Sequence, residues 1–87
     1  MEIPDRDWST PELEDDGDGT QEWTCGKYYH REGAPAVIFP GGEEWWYKGR
    51  LHRIGGPAVT SRSGQEWWVH GERHREDGPA VDYHDGT

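Results

Sequence analysis

Cysteine, methionine and phenylalanine occur once each in this sequence, and no apolar run is longer than Ala36-Val37-Ile38-Phe39. The lone Cys25 excludes an intrachain disulfide and suits a reducing compartment. No apolar signal core opens the chain, and nothing approaches the roughly 20 apolar residues of a spanning helix. Neither secretion by a standard signal nor a membrane role is expected, and a cytoplasmic location is. Basic residues are also scarce: 9 Lys and Arg face 18 Asp and Glu, for a net charge of −9. A basic stripe able to neutralise phosphates is missing, which argues against direct nucleic-acid binding. The charge is uneven. Residues 1–20 hold eight acids against Arg6 alone, while residues 21–87 hold ten acids and eight bases. An acidic arm over residues 1–18, without repeat register and expected to be disordered, is therefore distinguished from a nearly neutral body over residues 19–87.

Aliphatic residues are too few for an ordinary core. The hydrophobic fraction is 30%, the mean hydropathy is −1.20, and ordering costs about 1.5 kcal/mol per residue. Six Trp and four Tyr offset this, since each aromatic side chain buries roughly 150–250 Å². They recur in register. His30-Arg31, His52-Arg53 and His74-Arg75 are spaced 22 residues apart, and Pro35-Ala36-Val37, Pro57-Ala58-Val59 and Pro79-Ala80-Val81 follow at one offset. Trp45-Trp46 and Trp67-Trp68 keep the same spacing, as do Gly42, Gly64 and Gly86. Short strand-favouring runs, 36–39 and 44–47, are bounded by Gly and Pro turns. Gly33, Gly55 and Asp77 share a position where a positive φ is expected. Helical periodicity with caps is missing. The expectation is an all-β fold of three 22-residue units, the first degenerate, with one residue inserted between Gly26 and His30.

The segments Gly-Arg-Leu-His-Arg-Ile-Gly-Gly-Pro-Ala-Val (49–59) and Gly-Glu-Arg-His-Arg-Glu-Asp-Gly-Pro-Ala-Val (71–81), joined by Gly-Gln-Glu-Trp-Trp (64–68), resemble the Gly-x-x-His-Arg-x-x-Gly-Pro-Ala repeats of phage proteins. More distantly they are similar to the MORN repeat, a β-hairpin unit of about this length; the MORN core has Gly directly after its His, where Arg stands here. The resemblance covers residues 19–87. It implies an elongated, single-layer antiparallel sheet used for interaction, and a viral origin.

Chemistry-bearing constellations are sparse. Equivalent His residues in successive units would lie roughly 10 Å apart, too far to share a zinc held at about 2.0–2.1 Å, so the three His are expected to form a structural ladder with no metal. Glu14 to Gly19 places acids and Gly as an EF-hand loop does, but Cys25 stands where the closing Glu is needed. Serine elbow and phosphate loop are both missing, and Cys25 with His30 lacks a third orienting group. Neither catalytic residues nor a cofactor are expected.

The aromatic pairs carry the binding expectation. Adjacent strand residues point to opposite faces, so Trp45 and Trp46, and likewise Trp67 and Trp68, should serve two faces. On the second face, either Arg31, Arg53 and Arg75 stack over the Trp rings, or exposed Trp and Arg form an interface. Trp8, with Ile3 and Leu13, suits the arm to docking on a basic, partly apolar surface. The candidate binding residues are thus Trp8, Trp45, Trp46, Trp67, Trp68, Arg53 and Arg75. The expected function is a non-catalytic phage protein that binds and inhibits or redirects a host protein, an anti-defence inhibitor being its most concrete form. The alternatives are sequestration of a nucleotide signal in a Trp/Arg/His pocket, or a structural or antitoxin-like module. Unpaired strand edges and a second Trp face also make a homodimer an expectation.

Overall fold

The structure, a computed structural model, describes residues 6–76 and 78–83. Asp77 and the turn expected at 85–87 lie outside these. Among the described residues there are twelve short strands and no helix. They are β1 (Glu12–Asp15), β2 (Gln21–Cys25), β3 (Tyr28–Tyr29), β4 (Val37–Phe39), β5 (Gly42–Glu44), β6 (Trp46–Tyr47), β7 (Arg50–Leu51), β8 (Val59–Ser61), β9 (Gly64–Glu66), β10 (Trp68–Val69), β11 (Glu72–Arg73) and β12 (Val81–Tyr83). All pairing is antiparallel, as the turn chemistry predicts.

Where one sheet is expected, hydrogen bonding makes three. The largest runs in the order β1-β2-β4-β5-β8-β9-β12, with β3 also on β2, while β6–β7 and β10–β11 are separate hairpins. The cause lies at the Pro-Ala-Val segments. Proline has no N–H to extend a ladder, so pairing starts one residue later: Trp45 donates its N–H to the Ala58 carbonyl (2.6 Å) and Trp67 does the same to Ala80 (2.7 Å). The Trp45 and Trp67 carbonyls accept instead from His52 and His74, both at 3.0 Å. Each Trp is therefore the bend at which the chain leaves the large sheet for its own hairpin. The described residues span 40 × 31 × 23 Å, a slab more than a ribbon.

Register corrects the reading of the first unit. His30 N–H bonds the Trp23 carbonyl (3.1 Å), as His52 bonds Trp45 and His74 bonds Trp67, seven residues back in each case. No residue is inserted, and Trp23 corresponds to Trp45, not Trp46. Gly26, with φ 64°, begins the turn that Lys48 (φ 51°) and His70 (φ 50°) begin in the later hairpins.

The acidic arm is likewise not free throughout. Glu12–Asp15 forms β1, with Leu13 opposite Trp23. All four of its residues are exposed, so water screens the acids while the backbone pairs. The loop that follows is closed by its own carboxylates: Asp15, Asp16 and Asp18 accept from the N–H groups of Gly17, Asp18 and Thr20. The core itself is small, comprising Cys25, Ala36, Val37, Ala58 and the fully buried His30.

Candidate binding face

Three clamps recur along the molecule. The guanidinium of Arg31 lies 3.7 Å from the ring centroid of Trp23, that of Arg53 3.9 Å from Trp45, and that of Arg75 3.7 Å from Trp67. Each donates Nη1 to a carbonyl four residues on, at Pro35, Pro57 and Pro79, all at 3.2 Å. Arginine does both at once because its planar fork can stack on a ring while its edge donates. Trp45 and Trp67 are thus covered from within their own units.

The second Trp of each pair has other partners. Trp46 tilts against Tyr29, with centroids 5.3 Å apart, and donates Nε1 to Glu44 (2.8 Å). Trp68 donates to Glu66 (2.9 Å), and Arg73 lies 5.4 Å from its ring. All four tandem Trp remain half-buried. Trp8, expected on a mobile arm, packs on the body, 5.2 Å from His30 and 5.9 Å from Tyr28.

Two of the three repeated His residues, His30 and His52, form a ladder. The Nδ1 of His30 accepts the Lys48 N–H (2.8 Å), and that of His52 accepts the His70 N–H (2.9 Å). Tyr47 bridges the two imidazoles, at 5.1 Å from His30 and 5.7 Å from His52, and His70 stacks on His52 at 4.3 Å. Burial holds His30 below the ordinary imidazole range; the Lys48 charge reinforces this, and Glu32 and the Trp8 backbone oppose it. His52 is lowered by burial and then by His70. The described residues hold no cluster of three or more His, Cys, Asp or Glu placed for a metal. Burial raises the Cys25 thiol, against the pull of Arg6.

Beside the third clamp the surface opens into a groove of about 720 Å³, lined chiefly by Arg53, Ile54, Pro57, Trp67, Val69 and His74. Ile54 is 73% exposed at its margin. The groove unites three of the sequence-derived candidates, Arg53, Trp67 and Arg75. It does not include Trp8, Trp45, Trp46 or Trp68. Ile54, Val69 and His74 were not expected to contribute. Their signal was present but inverted: Cys25, Tyr47 and Val69 stand 22 residues apart, and the position matters because it differs. The described residues contain no helix long and apolar enough to cross a membrane. No family model, curated protein or solved structure matches this chain.

Proposed function

We propose that the chain is a non-catalytic interaction module that holds a protein partner on the groove between the 53–57 loop and the Trp67–Val69 segment. The observation that carries this reading is the groove itself, whose lining includes Ile54, Pro57, Trp67 and Val69, with Ile54 73% exposed. A concave surface lined by apolar and aromatic side chains with a few polar groups is the default contact site of a fold. The chemistry of the remaining groups supports a non-enzyme: the Cys25 thiol is raised by burial and the His30 imidazole already accepts a backbone N–H. The phage-type repeat resemblance adds a host protein as the target, which the module blocks or redirects in the host cytoplasm. An anti-defence inhibitor is the most concrete form, with the exposed acids of β1 competing for a basic, nucleic-acid-binding surface.

Immobilised chain should capture a specific host protein that an Ile54→Asp variant of unchanged melting temperature does not. Equal capture by both would remove the groove from the reading. The groove volume also lies within the range of small-ligand sites, and Trp67, His74 and Arg53 suit a nucleotide. A melting temperature raised by added nucleotides, and no captured protein, would decide for that second reading.

A further inference from the structure

Among the described residues the aromatic column ends with His70 on His52, and the groove is lined by Val69 and His74. Cys25, Tyr47 and Val69 each close a strand immediately before a hairpin turn. At Tyr47 the phenol ring fills the space between His30 and His52, at 5.1 and 5.7 Å. Cys25 is too small to do so, and there the acidic segment supplies Trp8, whose ring reaches His30 directly at 5.2 Å. With Trp8 in place, Cys25 is 5% exposed and His30 is fully buried. Val69 is also too small. The described residues bring no aromatic ring over it: His70 folds back onto His52 at 4.3 Å, the groove of about 720 Å³ stays open, and the His74 side chain is 54% exposed.

We propose that the Val69 groove receives one aromatic side chain, Trp or Tyr, carried on an extended acidic segment of the protein partner. This rests on the interaction-module reading and specifies what the partner presents. The molecule provides the template in its own acidic segment, where Trp8 stands next to Asp7 and packs on the equivalent His. Charge points the same way among the described residues, since the guanidinium groups of Arg53 and Arg75 line the groove together with Glu76. Such a ring would lie against Val69 and Trp67 while flanking carboxylates face the cationic side chains.

The test uses the full chain and three capped peptides: Ser-Asp-Trp-Asp-Ser, its Trp→Ala version, and a version with Lys in place of both Asp. Binding is read from the proton–carbon shifts of the Val69 methyls. The Trp-Asp peptide should bind at least about tenfold more tightly than either control, a difference of about 1.4 kcal/mol or more. Val69→Tyr should abolish its binding and raise the melting temperature, because the introduced phenol fills the gap. Tyr47→Val should open a second site. If Tyr47→Val does not fold, Val69→Tyr alone decides.

Equal binding of the Ala peptide, or unchanged binding to Val69→Tyr, would overturn the proposal. If a host protein is captured through Ile54 but Val69→Tyr captures it equally, the ring assignment falls and the interaction reading stands. If no host protein is captured while the Trp-Asp peptide binds the wild type and not Val69→Tyr, the site stands and that reading falls. A particle of twice the 10.0 kDa mass that Val69→Tyr returns to the monomer would make the occupant a second copy and overturn the assignment to a foreign partner.

Discussion

His30 is fully buried, and an imidazole in that position must be neutral, hydrogen-bonded or both. It is held by the Lys48 N–H at Nδ1 and by the rings of Trp8 and Tyr47 on either side. The bond explains a second oddity. Lys48 and His70 are the non-glycine residues with positive φ among those described, a conformation that costs roughly 1–2 kcal/mol, and each points its N–H at a ladder histidine. Acid should undo this arrangement. Burial lowers the pKa of folded His30 and His52 from the ordinary value of 6.5, so the folded chain takes up protons less readily than the unfolded one. Their contribution to stability is complete above 6.5 and is lost as the pH falls through 6.5 toward the lowered folded values. The melting temperature should therefore be lower at about pH 5.5 than at about pH 7.5. In His30→Phe the Lys48 N–H loses its acceptor, costing about 1–3 kcal/mol at neutral pH, but the acid-induced drop should be smaller than in the wild type. An undiminished drop in that variant would place the acid sensitivity elsewhere.

At the scale of the strands, two glycines allow neighbouring strands to approach closely. Gly42 pairs with Phe39 and Gly64 with Tyr83, and each aromatic ring lies over its glycine. A Cβ at Gly42 would collide with the Thr60 carbonyl oxygen, and one at Gly64 with that of Asp82. Backbone atoms cannot swing aside as a flexible side chain would. Gly42→Ala and Gly64→Ala should each destabilise by about 1–3 kcal/mol, measured by urea unfolding, whereas Gly33→Ala meets no atom within 4 Å and should lose only the smaller cost of its left-handed backbone. These glycines, the prolines and the Trp pairs were legible in the sequence because turn and ladder chemistry is local. The bend at Trp45 was not, because a Trp that ends a ladder has the same strand propensity as one that continues it. Matching Gly26 to Gly49 implied an insertion; what Gly26 shares is the left-handed backbone of Lys48, which residue type alone does not show. The candidate site was half legible: Arg53, Trp67 and Arg75 stood out as repeats, whereas the groove depends on Val69 being small where Tyr47 is large.

For the molecule as a whole, the described part of the acidic segment, from Arg6 on, packs as part of the fold. Trp8 covers His30 and β1 covers one edge of β2, where a detachable, disordered arm was expected. Trp8→Ala should cost about 2 kcal/mol, below the roughly 3–5 of a fully buried Trp because the ring is only half-buried. It should also unmask the Cys25 thiol, 5% exposed in the intact chain, to a disulfide reagent. A thiol as slow in the variant as in the wild type would mean that other groups shield it.

Cover over the repeated His residues thins along the chain, from a His30 side chain 1% exposed to a His74 side chain 54% exposed. The bonds from Lys48 to His30 and from His70 to His52 each join one unit to the next, so each unit leans on its neighbour. Such a molecule has a direction of fraying. Amide protons of β10 and β11 should exchange with deuterium first, those of β6 and β7 next, and those of β2 and β3 last. A bound ring over Val69 would slow the first of these steps most, and solvent exchange would then register occupancy at one end of the slab as a gradient flattened along its length.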